Sequence, residues 1–155
     1  MMRTLVASLA LSAAAFASAS ASDPLNSLRF LEGSWNCTYQ AGKVAVNYRA
    51  TFAYDMGGNW MRESDSWTGG GSDLGMFTYE PKRHAWMAVV MENERDTTLF
   101  RATGANPNHI VYRSIYPNAG MTDIFERTSP TRYTLHFTQT SGGRTRSSTD
   151  ICVKR

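Results

Sequence analysis

Between residues 33 and 153 the sequence is interrupted by turn chemistry about every ten residues, at MGGN, GGGSD, PKRH, ENERD, GANPN, YPNAG, RTSPT and SGGR. The runs between these breaks have period-two character. KVAVNYRATFAY is the cleanest: Val44, Val46, Tyr48, Ala50, Phe52 and Tyr54 fall on one side, and Lys43, Asn47, Arg49 and Thr51 on the other. The spacing predicts about ten strands, at 33–40, 43–54, 59–67, 74–80, 84–91, 97–103, 109–116, 120–127, 131–140 and 144–153. Consecutive strands with tight connections and no intervening helix argue for an antiparallel meander. A sheet that wide must close or split into two layers, because open edges invite pairing with other chains. The expected fold class is all-β: a single antiparallel up-and-down barrel with a short N-terminal helical turn.

Two cysteines favour closure. Cys37 lies in the first predicted strand and Cys152 in the last, and a disulfide needs Cα atoms within about 7 Å of each other. Two lone cysteines in an oxidising compartment tend to pair. Their parity resists the idea, however. Cys37 shares a face with Trp35, expected inside, whereas Cys152 sits between the apolar Ile151 and Val153 and so reads as outward. The bridge then requires a bulge near the chain end.

The strands are preceded by DPLNSLRFLEGSW. Asp23 suits an N-cap and Pro24 the first helical position, and Leu25, Leu28 and Leu31 come to one side of a turn or two of helix. A barrel has an end to be sealed. Trp35, at the start of the first strand, reads as the plug, and Gly33 as the residue that lets the incoming turn pass closely. Further upstream, Arg3, the apolar run Leu5–Phe16 and ASASA have the layout of a secretory signal over 1–21, cleaved after Ala19 or Ala21. That leaves one domain over 22–155. The apolar run is too short to span a bilayer, and no later stretch reaches the roughly 18 apolar residues of a membrane anchor. A secreted or periplasmic protein is expected.

Composition excludes more than it suggests. The net charge of +3 is too mild for a nucleic-acid partner, and Arg144 with Arg146 reads as a solvated strand edge. The sequon at Asn36 reads as chance. No ligand spacing of His, Cys or acidic residues marks a metal site, and no nucleophile elbow or phosphate loop marks catalysis. Glu63 and Asp65 share a strand face about 7 Å apart, a separation that acid–base pairs use, but a solvated face is the simpler reading.

LEGSW after a short helix resembles the opening of the calycin superfamily of lipocalins, fatty-acid-binding proteins and nitrobindins. GGNWMRESDSW followed by GMFTYEPKRHAWMAVVM is similar in layout to uncharacterised exported bacterial members of that group. The resemblance implies a barrel with an internal cavity for a small apolar molecule, and, for nitrobindin-like members, a haem held by histidine. His84 and His109 sit beside predicted turns. His136 shares its side with Thr134 and Thr138, opposite the apolar Tyr133, Leu135 and Phe137, so it is expected outside, where it cannot hold an enclosed haem.

The remaining features are aromatic and sulfur-rich. Trp60, Trp67, Trp86, Met61, Met76, Met87 and Met91 occupy three consecutive strands, which suits core or ligand lining alike. Strand 59–67 is mixed on both faces, so which one points inward stays open. An interior arginine must be paired or must meet an anionic group. With Arg62 and Arg101 as candidates and Tyr48 and Tyr112 as hydroxyl partners, one reading is a carboxylate-headed apolar ligand; the other is Arg62 paired with an acidic side chain. The candidate interior is therefore Tyr48, Phe52, Trp60, Arg62, Met76, Trp86, Arg101 and Tyr112. HAWMAVVM is apolar on both faces, so its outer side needs a cover, and a homodimer is expected. The function expected is non-catalytic binding of a small hydrophobic or amphipathic molecule, with no cofactor. A haem protein and an envelope structural or interaction protein with a filled barrel are the alternatives.

Overall fold

A computed structural model describes residues 23–92, 96–117 and 120–155; the expected signal over 1–21 lies outside them. The chain opens with a 3-10 helix, Pro24–Leu31, capped by the Asp23 carboxylate, which accepts from the Leu25 amide at 3.0 Å. Side chains three apart eclipse in a 3-10 helix. Leu25, Leu28 and Leu31 therefore form one buried edge.

Ten strands follow: β1 (Gly33–Ala41), β2 (Val44–Asp55), β3 (Trp60–Trp67), β4 (Ser72–Glu80), β5 (Ala85–Met91), β6 (Thr97–Thr103), β7 (His109–Tyr116), β8 (Met121–Ser129), β9 (Arg132–Ser141) and β10 (Arg144–Lys154). Each pairs antiparallel with its sequence neighbours, and β1 pairs with β10, so the sheet is a closed barrel with no free edge. This is the all-β meander that the turn spacing predicts.

Cys37 and Cys152 stand directly opposite each other on β1 and β10, Cα atoms 4.1 Å apart, and are joined by a disulfide. The expected parity conflict does not arise. The register runs unbroken from Trp35 opposite Lys154 to Gln40 opposite Thr149, with no bulge. Cys152 is fully buried, and it is the apolar Val153 that faces out, 45% exposed. Strand alternation is set by the whole ladder, and two outward aliphatic residues are too few to reverse it.

The short helix closes one end of the barrel. Trp35 is fully buried and donates its indole N–H to the Leu31 carbonyl at 2.6 Å, so the plug is tied to the helix that covers it. Phe30 and Tyr133 meet its ring edge-on. Lys154 reaches across the seam from β10 to donate to the Phe30 carbonyl at 2.6 Å. Gly33 has φ of +107°, a conformation closed to residues with a Cβ, which is why a glycine joins helix to strand here. Trp35→Phe is expected to lower stability by about 1–3 kcal/mol, because it strands a buried carbonyl and trims a filled site. A urea midpoint equal to that of the parent protein would contradict this role.

The outer face of β4, β5 and β6 carries Leu74, Met76, Met87, Val89, Met91 and Leu99, all half-buried. β5 is thus apolar on both sides.

Candidate functional site

Inward-facing side chains leave a cavity of about 320 Å3 in the barrel. Its floor lies under the short helix, where Leu28, Leu31, Phe125 and Tyr133 meet. Its upper wall lies toward the opposite end, where Tyr39, Trp67 and Asp73 stand. Strand alternation decides which residues enter: on β2 it turns Tyr48 and Phe52 inward, on β6 Phe100, on β7 Ile110 and Tyr112.

Of the residues singled out from sequence, Tyr48, Phe52 and Tyr112 line this cavity. Trp86 is fully buried and packs edge-on against Tyr79 at 5.1 Å, but it is not part of the cavity wall. Trp60, Arg62, Met76 and Arg101 stand on the outer face, a correction with one cause. On β3 the inward set is Met61, Glu63, Asp65 and Trp67, which turns Trp60 and Arg62 out. Opposite Arg62 on β4 stands Met76, which is therefore outside as well. Arg62 is half-exposed and its only ion-pair partner among the described residues is the similarly exposed Asp55, at 3.7 Å, so it is neither a ligand anchor nor interior glue. Arg101 alternates with the inward Phe100 and is exposed.

The residues that replace the arginines are carboxylates. Glu63 and Asp65 from β3, Asp73 from β4, Glu92 just past β5, Asp123 from β8 and Asp150 from β10 all line the cavity. Glu63 and Asp65 do not form the solvated face expected of them. No Lys, Arg or His lines the cavity among the described residues, and none is within ion-pair distance of Glu63, Asp65, Asp73, Asp123 or Asp150. Asp65 and Asp73 are cross-strand neighbours.

The supports of these groups differ. The Tyr48 hydroxyl lies 3.8 Å from the Cys152 sulfur, and the Trp67 indole N–H donates to Asp73 at 2.7 Å. Tyr48 and Trp67 are themselves stacked, ring centroids 4.3 Å apart. One oxygen each of Asp65, Asp123 and Asp150 is buried without a hydrogen-bond partner. Glu63, only 8% exposed, makes no hydrogen bond to any described residue. Gly75 lies directly across from it on β4. A Cβ at Gly75 would come within 3.1 Å of the Glu63 carboxylate and 2.8 Å of the Phe77 ring, so the missing side chain makes room for that carboxylate.

Burial penalises charge, and neighbouring carboxylates penalise it again. Asp65 is pushed up to about 8 by burial, then by Asp73 and Asp150. Burial raises Asp123 to about 7, with Asp150 adding to it. Asp150 rises to about 6 through burial, partly offset by the polar hydroxyl of Tyr48. Glu63 is raised well above the usual carboxylate range, by burial first and then by Asp65. The hydroxyls of Tyr48, Tyr112 and Tyr133 are raised by burial first and then by the charge around them.

An interior haem held by histidine does not fit these residues. His136 stands on the outer face with its Nδ1 at 3.1 Å from the Thr149 hydroxyl, and neither His84 nor His109 lines the cavity. Among the described residues no three His, Cys, Asp or Glu side chains are grouped closely enough to hold a metal ion. No described helix is long and apolar enough to cross a membrane.

No protein-family description matches the chain, and no curated protein does. Among solved structures the chain is similar to an S-type phycobiliprotein lyase, CPES, from Guillardia theta, with a TM-score of 0.56, 10% identity, and coverage of 86% of this chain and 93% of the lyase. At that identity the likeness speaks to the fold and not to the lyase activity. The protein is a closed ten-stranded antiparallel up-and-down barrel, similar in fold to that lyase.

Proposed function

We propose that this protein binds a small hydrophobic or amphipathic molecule inside the barrel, as an exported protein whose mature domain is 22–155. The observation that carries the reading is the cavity itself. A barrel with a purely structural role would fill its interior with side chains, as small barrels do. Here about 320 Å3 stays open, at the small end of the range used by ligand pockets, with tyrosines, phenylalanines and a tryptophan around it. A disulfide between the first and last strands suits an oxidising compartment, in keeping with export.

N-phenyl-1-naphthylamine, a fluorescent hydrophobe that is neutral near neutral pH, tests this directly. It is expected to bind one-to-one with a Kd of about 1–100 µM, with blue-shifted emission and quenching of Trp67. Ala88, 2% exposed, lines the cavity. Ala88→Phe would fill part of that space and is expected to weaken the dye at least about tenfold while the circular dichroism stays that of the parent. Absence of dye binding, or identical binding by the filled variant, would remove the ligand-binding reading.

A further inference from the structure

We propose that the molecule held in the barrel is an organic cation: a small amine whose apolar body lies on the aromatic floor and whose ammonium group stands among Glu63, Asp65, Asp73 and Asp150. This rests on the ligand-binding reading above and adds the chemical class.

Three independent features point the same way. The first is the sorting of charge. Five of the chain's thirteen acidic residues, Glu63, Asp65, Asp73, Asp123 and Asp150, line one cavity with no ion-pair partner among the described residues, although the chain as a whole is net positive. Buried carboxylates are ordinarily matched by a cation or by hydrogen-bond donors. The second is Glu63. It is more than nine-tenths buried, faces the cavity, has no hydrogen-bond partner among the described residues, and sits in a space that the absence of a side chain at Gly75 provides. The third is the stacked Tyr48–Trp67 pair. Trp67 donates to Asp73, and Tyr48, Trp67, Asp73 and Asp150 line the same cavity, so aromatic rings and carboxylates share its wall. Aromatic faces and carboxylates together are how proteins hold organic ammonium groups.

The spread of the acids also selects the kind of cation. They come from β3, β4, β8 and β10 and form no group compact enough for a metal ion among the described residues. A point charge would satisfy few of them. An amine with an apolar body fits both halves of the cavity: its body covers Leu28, Leu31, Phe125 and Tyr133, and its N–H groups reach the carboxylates. An anionic headgroup, by contrast, would meet no basic side chain among the described residues that line the cavity.

The test is calorimetric titration at about pH 8 with three probes of one skeleton: tryptamine as the cation, tryptophol as the neutral alcohol and indole-3-propionate as the anion. Tryptamine is expected to bind at least about tenfold more tightly than tryptophol, and indole-3-propionate most weakly. In the double variant Glu63→Gln, Asp65→Asn, which keeps the shape and removes the charge, the preference for tryptamine over tryptophol should vanish while tryptophol binding persists. If tryptophol or the propionate equals tryptamine, the cation assignment falls even though the naphthylamine dye still binds. It falls equally if the dye binds and tryptamine does not displace it, or if the double variant keeps the preference. Failure of the dye itself would instead remove the ligand-binding reading on which this one rests.

Discussion

Raising the pH of the ligand-free protein from about 5 to about 8.5 is expected to lower its unfolding free energy by several kcal/mol, the reverse of the usual behaviour of acidic groups held in ion pairs. The sign follows from the direction of the shifts. Asp65, Asp123 and Asp150 titrate at about 8, 7 and 6 in the folded barrel, and Glu63 is also displaced upward. In the unfolded chain all four return to about 4. Between those limits the folded state carries more protons than the unfolded one, so stability falls as pH rises. The contribution is fully present below about pH 4 and disappears as pH climbs through the folded values. Each unit of displacement corresponds to about 1.4 kcal/mol, and the four groups share their interactions, so the total is several kcal/mol rather than the sum of isolated shifts.

The groups facing these carboxylates do not reverse the trend. Tyr48, Tyr112 and Tyr133 are all raised and stay neutral across the window. Asp73 from β4 and Glu92 just past β5 are the other acidic side chains that line the cavity. The cations of the closed end are engaged elsewhere: Arg127 lies 4.0 Å over the Phe30 ring, and Lys154 donates to the Phe30 carbonyl; at the other end Arg146, on the same face of β10 as Asp150, is exposed. The measurement is the urea midpoint at several pH values. Asp65→Asn should raise that midpoint markedly near pH 8 and much less near pH 5, because the ionisation that favours the unfolded chain has only begun at the lower pH. A midpoint that rises with pH between about 5 and 8.5 would mean that the interior acids are stabilised as anions by something the described residues do not provide.

The barrel was legible in the sequence because its evidence is redundant. Eight turn clusters and the alternation in 43–54 all demand the same meander, and Trp35 and the two cysteines bring its ends together. The acidic interior was illegible for the opposite reason. Polarity taken one residue at a time sends Glu63, Asp65 and Asp150 to solvent, and on β3 the alternative face, with Trp60 and Arg62, is equally mixed. A usable clue lay in parity. Asp65 and Trp67 share a face, as do Asp73 and Phe77, Asp123 and Phe125, and Asp150 and Cys152. Fixing Cys152 inward through its partner Cys37 would have carried Asp150 inside with it. The apolar Ile151 and Val153 outweighed that argument, and they lie outside because a barrel wall tolerates scattered exposed aliphatic residues more easily than a broken register.

Cutting the bond between Cys37 and Cys152 is expected to cost about 2–5 kcal/mol, with the loop-entropy limit near the upper end because the bond spans 115 residues of sequence. The folded barrel should survive the loss. The β1–β10 seam keeps six register pairs from Trp35–Lys154 to Gln40–Thr149, and the Lys154 bond to the Phe30 carbonyl and the packing of Trp35 on Tyr133 also bridge it. The main effect therefore falls on the unfolded chain, whose two ends become free to separate. A smaller effect is local. The sulfurs lie 3.7 Å from the Tyr133 hydroxyl and 3.8 Å from the Tyr48 hydroxyl, so alanines leave a gap beside both rings. Either Cys37→Ala or Cys152→Ala breaks the bond, so the double variant should be scarcely less stable than the single ones. The urea m-value should rise in all three, because an uncrosslinked chain exposes more surface on unfolding. A lowered midpoint with an unchanged m-value would shift the explanation to the gap beside Tyr48 and Tyr133, and no loss of stability would mean that the ladder and the helix-capped end hold the seam without the bond.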